Sequence, residues 1–306
     1  MKNKKIFWIF VAFSAIYILE TILIPPDASS LAKFRISTTQ AKFLALTFAI
    51  PVAVIWMIGS YVYAKFRDYV SSISKDKDGR AFSTISIGLL FLCLWLPIST
   101  IFSNISNYVY RMHSSWTIPL VIVNNYLNLL IVLAALALIY KGSSEMISLE
   151  QNRKASLSRY LIFIPFILIS ELFVFLSLNN PARQFPTPDV HVAGYYLPDW
   201  LLVGTIIIPY ILAFYYGFFA VLNLYIYRRK VRGVIYKDSL DNFAKGLLCI
   251  VSSIILIRYL ASLSTAFSNS TVKTILLIIY LLLAILLLGF ILFARSVKKL
   301  EKIEKV

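Results

Sequence analysis

Histidine and cysteine are scarce in this sequence, which has two of each among 306 residues. His113 and His191 lie in short polar segments, and a zinc site needs three or four ligands at close spacing. Neither histidine falls in an apolar stretch, so a haem held by helix histidines is excluded as well. Cys93 and Cys249 lie inside apolar stretches, where cysteine acts as a small hydrophobic residue. The sequence therefore predicts no metal, no cofactor and no disulfide.

Catalytic motifs are also missing. There is no HExxH metalloprotease motif, no glycine-rich nucleotide loop and no serine-hydrolase elbow. No residue is therefore assigned as catalytic, and the chain is interpreted as more consistent with a non-enzyme. An enzyme acting on lipid stays an alternative, for which Asp27, His113, Asp189 and His191 would be the acid–base groups on one side of the membrane.

Charge is low throughout the chain. Charged residues make up 14% of the sequence and hydrophobic residues 59%, with a mean hydropathy of +0.80. A soluble domain has about a quarter of its residues charged, and a chain of this length has too little interior to bury so much apolar surface. The composition predicts an integral membrane protein.

Eight apolar stretches reach the roughly 20 residues that span a bilayer. Each is predicted to be a helix, because a lone strand would leave its backbone groups unpaired in lipid. We expect an all-α polytopic bundle that forms a single membrane domain over residues 1–306. The predicted spans are Ile6–Ile24, Ala41–Ala64, Phe82–Ser103, Ile118–Tyr140, Tyr160–Leu178, Asp199–Tyr227, Ala244–Phe267 and Val272–Ala294.

The first apolar stretch has a second interpretation as a cleaved signal peptide. A basic start precedes it, and the small-residue triplet Ser30-Leu31-Ala32 could be a cleavage site. The length of the stretch, its Glu20 and the Pro25-Pro26 pair before the triplet favour a permanent span.

Lysine and arginine alternate strongly between the two sides. With the N-terminus inside, 23 of the 30 basic residues fall in inside segments, 6 fall outside, and Arg258 lies within a span. This asymmetry predicts that both termini are cytoplasmic, in a cell (plasma) membrane. The net charge of +16 is then explained by contact with anionic lipid at the cytoplasmic face, and nucleic acid is not expected as a partner.

The two halves of the chain show a weak repeat. Pro51 and Gly59 in the second span recur 158 residues later as Pro209 and Gly217, and Gly88 recurs as Gly246. A four-plus-four duplication would give half-repeats 1–155 and 156–306, related by an axis along the membrane normal. Chance recurrence of common membrane residues is the alternative.

Charges inside the membrane are the best candidates for a functional site, because each is costly to bury in lipid. Glu20, Glu171 and Arg258 lie in three different spans, all within the outer half of the membrane. Asn124 and Asn128 add amides that share one face of the fourth span. We predict that these five residues form a ligand-binding or ion-binding site, with Glu171 paired to Arg258. A buried ion pair that only fixes helix register is the alternative.

Two classes of function follow. The polar layer favours transport or binding of a small molecule or ion through an outward-facing cavity. The missing catalytic motifs and aromatic-rich helices also fit a non-catalytic membrane subunit or scaffold, whose partner would be another protein or a second copy.

Overall fold

The computed structural model describes residues 4–24, 37–73, 77–112, 131–147, 165, 191–192, 195–196, 208–231, 233–263 and 269–303. The described chain is helical, apart from strands β1 (His191–Val192) and β2 (Tyr195–Tyr196), which pair antiparallel. The helices are α1 (Lys4–Leu23), α2 (Thr38–Ser72), α3 (Lys77–Arg111), α4 (131–147), α5 (Ile208–Lys230), α6 (Val234–Leu263) and α7 (Asn269–Ile303).

Six of these helices, all except α4, are long and apolar enough to cross a membrane. The prediction of a helical membrane protein is thereby confirmed for six of the eight spans. Helix α4 covers the end of the fourth predicted span, while the rest of that span and almost all of the fifth, Tyr160–Leu178, lie outside the described residues.

Several helices extend well beyond the apolar stretches. Helix α2 continues to Ser72, α6 begins at Val234 rather than Ala244, and α7 continues to Ile303. The added turns are amphipathic: in the first turns of α6, Leu240 and Phe243 are buried beside charged neighbours. Hydropathy detects only the part that lipid can solvate, so it misses these added turns.

Prolines do not end the helices that contain them. Pro51 lies inside α2 and Pro97 inside α3, and both helices run for 35 residues. Helix α2 begins with a capping box, in which the Ser37 hydroxyl accepts from the Gln40 backbone and the Gln40 side chain accepts from the Ser37 backbone.

Two antiparallel helix pairs are joined by seams of small residues. In the α3–α4 pair, a Cβ added to Gly88 would lie 2.6 Å from the Ala135 carbonyl oxygen. In the α6–α7 pair, a Cβ added to Gly246 would lie 2.9 Å from the Gly289 carbonyl oxygen. Backbones approach this closely only where side chains are absent or very small.

These two seams correspond position by position. Ala81 and Gly88 of α3 lie 158 residues before Ser239 and Gly246 of α6. The residues of α4 that contact Ala81 and Gly88 lie 154 residues before the corresponding contact residues of α7. In the α3–α4 pair, Gly142 approaches the Ala81 carbonyl. At the corresponding place in the α6–α7 pair, the Ser239 hydroxyl donates to the Ser296 carbonyl oxygen at 2.9 Å. Buried residues of α3 are matched by buried residues of α6 in the pairs Phe82/Leu240, Ile85/Phe243, Leu89/Leu247, Leu92/Ile250 and Cys93/Val251.

Two further contacts join helices that are distant in the chain, and in both the helices run in the same direction. Helix α2 packs along α7, with ring contacts from Phe48 to Tyr280 and from Phe66 to Phe293. Helix α4 packs along α5, where the Tyr140 ring meets Tyr216 and the Asn223 amide donates to the Ser144 hydroxyl at 2.9 Å. Each of these contacts thus joins a helix from the first part of the chain to one from the second.

An ion-pair cluster ties α5 to α6 near their connection. Asp241 Oδ2 lies 2.7 Å from Lys245 Nζ, and Asp241 Oδ1 lies 3.6 Å from Arg228 Nε. The Asp241 side chain is 18% exposed, so water screens this cluster less than a fully exposed pair.

We expect Asp241→Asn to lower the free energy of unfolding by about 1 kcal/mol, because two cations lose their common partner. Thermal unfolding in a fixed detergent at low and high salt measures it, and the difference from wild type should shrink in 1 M salt. Asp238→Asn is the matched control, since Asp238 is 54% exposed and lies 3.5 Å from Lys299. Equal losses of stability in Asp241→Asn and Asp238→Asn would contradict a stabilising role for the ion pairs of Asp241.

Candidate functional site

Glu20 makes a contact between helices in the half of the bundle predicted to face outward. It lies in the last turn of α1, and its Oε2 accepts a hydrogen bond of 3.4 Å from Asn104 Nδ2 in the last third of α3. A carboxylate at membrane depth needs such a donor, because lipid supplies none. The contact joins two helices that are far apart in sequence.

Four of the five predicted site residues have side chains outside the described part of the chain. Glu171, Asn124 and Asn128 lie outside it entirely, whereas Arg258 lies in α6 with only its backbone described. The predicted pairing of Glu171 with Arg258 therefore stays a prediction. Of the five predicted site residues, only Glu20 has a described side chain, and its hydrogen-bond partner is Asn104.

The backbone gives the relative depth of Arg258. Helix α3 is antiparallel to α2, and α6 is antiparallel to α7. Because α2 and α7 are parallel, α3 and α6 run in the same direction. They contact each other through Phe82 and Phe243. Counted from that contact at 1.5 Å per residue, Arg258 lies roughly 10 Å deeper in the bundle than Asn104. A site that contains both residues would extend inward from Asn104.

Helix α6 also carries an unpaired polar atom. The Ser253 hydroxyl is buried and has no hydrogen-bond partner within the described ranges. It lies five residues before Arg258, on the cytoplasmic side of that residue in the predicted orientation. A buried hydroxyl without a partner costs free energy, and the buried neighbours of Ser253 in α6, such as Ile250 and Ile254, are apolar.

Toward the other end of the bundle, the interior is aromatic. Phe66, Phe82, Phe243 and Phe293 come from α2, α3, α6 and α7, and all four are buried. The Phe66 ring lies 6.1, 5.6 and 5.1 Å from the other three ring centroids. This aromatic cluster packs four helices together at the end that the charge distribution predicts to be cytoplasmic.

Asn104 is the residue that sequence reasoning did not assign to the site. It stands in the sequence Asn104-Ile105-Ser106, which also fits a glycosylation signal. Its position inside α3 and its hydrogen bond to Glu20 fit an interhelical role. The sequence signal for this interhelical role was an amide side chain near the outer end of a predicted span.

No protein-family model, curated protein or solved structure matches this chain. The class of protein therefore rests on the fold, which is that of a helical protein with six described helices able to cross a membrane. Within the described ranges no cluster of histidine, cysteine and carboxylate residues could hold a metal.

Proposed function

We propose that this multipass membrane protein binds and translocates a small molecule or ion through a polar cavity that opens to the outside. The observation that carries the proposal is the hydrogen bond between Glu20 and Asn104, which brings polar groups of two helices together at one end of the bundle. Glu171, Arg258, Asn124 and Asn128 complete the site in this proposal.

The arrangement of polar and apolar layers supports an outward opening. The contact between Glu20 and Asn104 lies at one end of α1 and α3, and the aromatic cluster fills the opposite end. Ser253 lies between these two levels in α6. Water and ions cross tightly packed aromatic side chains poorly. A substrate would therefore enter from the polar end, and the aromatic cluster would have to rearrange to release it.

The proposed substrate is anionic or zwitterionic. Arg258 carries a permanent positive charge, and a carboxylate or phosphate could exchange with Glu171 as its partner. The two carboxylates Glu20 and Glu171 would then hold the amine of a zwitterion or a coupling cation. We assign the plasma membrane and cytoplasmic termini in this proposal from the distribution of lysine and arginine.

We also propose eight spans in two related halves. Eight alternating spans require helices four and six to run in the same direction, as α4 and α5 do through Tyr140–Tyr216 and Ser144–Asn223. The matched seams of α3–α4 and α6–α7 support the four-plus-four duplication. Cavities of parallel-repeat transporters lie where the halves meet.

A non-catalytic subunit or scaffold is the second candidate, and one observation favours it. The described core is apolar, and its only buried polar side chains are serines. A protein that only holds helices together would need no more than this.

Water access at the predicted site separates the two candidates. In a chain with Cys93→Ala and Cys249→Ala, we expect Glu171→Cys and Asn104→Cys to react rapidly in intact cells with a membrane-impermeant maleimide. Rapid reaction requires a hydrated path from outside, which an outward-facing cavity provides. The labelled fraction against time is the measurement.

Three further cysteines calibrate the labelling. Gln40→Cys is exposed at the start of α2 and should label at once, whereas Ser60→Cys replaces a fully buried serine and should not. Lys5→Cys should label only after the membrane is permeabilised, if the N-terminus is cytoplasmic. Rates at positions 104 and 171 as low as that of Ser60→Cys would contradict the cavity and favour the scaffold.

A further inference from the structure

An open groove runs between α2 and α7 on the surface of the bundle. Ile58 and Val62 of α2 form one wall, and Phe290 and Ala294 of α7 form the other. The groove encloses about 250 Å³ and opens at Ile291, whose side chain is 41% exposed. These residues define the α2–α7 groove.

Two basic residues lie at one end of the groove. Arg295 and Lys298 stand there with the apolar stems of their side chains against the groove, and within the described chain neither forms an ion pair. Lys65 follows on the same face of α2, one turn beyond Val62. Arg295 comes directly after the apolar stretch of α7, so these cations lie at the level of the lipid headgroups in the predicted inner leaflet.

The other parallel pair, α4–α5, provides an internal comparison. Tyr140 and Tyr216 stand at the positions that correspond to Ala294 and Ile58, and their ring centroids are 5.8 Å apart. Aromatic rings thus occupy the space that is open in the α2–α7 groove.

The three cations Lys65, Arg295 and Lys298 have no unpaired equivalent in the α4–α5 pair. Asn223 and Ser144 correspond to Lys65 and Lys298 and bond to each other at 2.9 Å. Lys141, which corresponds to Arg295, pairs with Glu145 at 3.8 Å. Open apolar space and unpaired cations therefore occur together in one half and are lost together in the other.

We infer that the α2–α7 groove is a binding site for an anionic phospholipid of the cytoplasmic leaflet. One acyl chain lies against Ile58, Val62 and Ala294, and the phosphate accepts hydrogen bonds from Arg295 and Lys298. From Phe290 to Lys298 the groove extends about 12 Å, enough for the chain segment next to the headgroup. Basic pockets between membrane helices are suited to this class of lipid.

The test uses the purified full-length chain in mixed micelles that contain either phosphatidylglycerol or phosphatidylcholine, with native mass spectrometry to count bound lipid. We expect wild type to retain phosphatidylglycerol about ten-fold better than phosphatidylcholine. Arg295→Gln with Lys298→Gln should abolish that preference and leave retention of phosphatidylcholine unchanged.

Matched variants separate this site from general attraction to basic protein. Arg229→Gln with Lys5→Gln removes two exposed cations that do not line the groove and should change nothing. Ala294→Tyr introduces the residue found at the corresponding position of α4, and it should lower retention of both lipids by closing the groove. Ile58→Phe is the second closing variant, and thermal unfolding in the same detergent checks that each variant is folded.

Two results would overturn the inference. An equal loss of phosphatidylglycerol in the Arg229→Gln and Lys5→Gln variant would show diffuse electrostatic binding. Full retention in folded Ala294→Tyr and Ile58→Phe variants, or equally tight binding of soluble glycerol phosphate, would show that no acyl chain occupies the groove.

Discussion

Gly246→Val is expected to destabilise the protein by about 3 kcal/mol, at the upper end of the range for overpacked cores. A Cβ at position 246 would lie 2.9 Å from the Gly289 carbonyl oxygen and 3.0 Å from the Phe293 backbone nitrogen. Backbone atoms cannot rotate away as a side chain can, so α6 and α7 would have to separate. Separation would also weaken the hydrogen bond from Ser239 to Ser296, which is worth about 1 kcal/mol.

The measurement is thermal or denaturant unfolding of the purified protein in a fixed detergent. Gly88→Val should give a similar loss, since its Cβ would meet the Ala135 carbonyl oxygen at 2.6 Å. Ala284→Val places the same side chain at an exposed position of α7 and should change stability by less than about 0.5 kcal/mol. If Gly246→Val matched Ala284→Val, the close approach of α6 and α7 would be wrong.

Phe66→Ala is expected to cost about 3–5 kcal/mol, the usual range for removing a fully buried aromatic ring. Phe66 is completely buried and contacts Phe82, Phe243 and Phe293, so its loss leaves a cavity shared by four helices. In the proposed transporter the same change would loosen the cytoplasmic closure of the bundle.

The same unfolding assay measures this effect, with two substitutions for comparison. Phe66→Leu should cost less than half as much, because leucine fills most of the space and already stands at the corresponding position 224. Phe218→Ala removes a ring from a side chain that is 56% exposed and should cost under about 1 kcal/mol. A Phe66→Ala loss as small as that of Phe218→Ala would exclude the aromatic cluster as a major packing element.

The membrane class and most of the helices could be predicted from the sequence, because a span of 20 apolar residues has few alternatives. The true start of α6 could not be read from hydropathy, since Val234 belongs to amphipathic turns that precede the apolar stretch. Their pattern was available, however: Ser239, Leu240, Phe243 and Leu247 recur on one helix face, and all are buried. The period of the buried positions was the better signal there.

The candidate site was less predictable than the fold. Glu20 was chosen because a carboxylate in a membrane helix is costly, but its partner Asn104 depends on how α1 lies against α3. The rotation of each helix about its axis depends on packing across the whole bundle. The depth of a residue along a single span does not determine that rotation. The α2–α7 groove could not be predicted for the same reason, because its walls are more than 220 residues apart in sequence.

The contact between α2 and α7 also fixes the order in which the bundle can be completed. The hairpins α3–α4 and α6–α7 join neighbours in the chain, so each can form soon after synthesis. Helix α2 meets α7 through Phe48–Tyr280 and Phe66–Phe293, and that partner is made after all the other described helices. Until then the face of α2 that carries Phe48 and Phe66 faces lipid in place of α7, so the bundle is completed only when the last described helix is inserted.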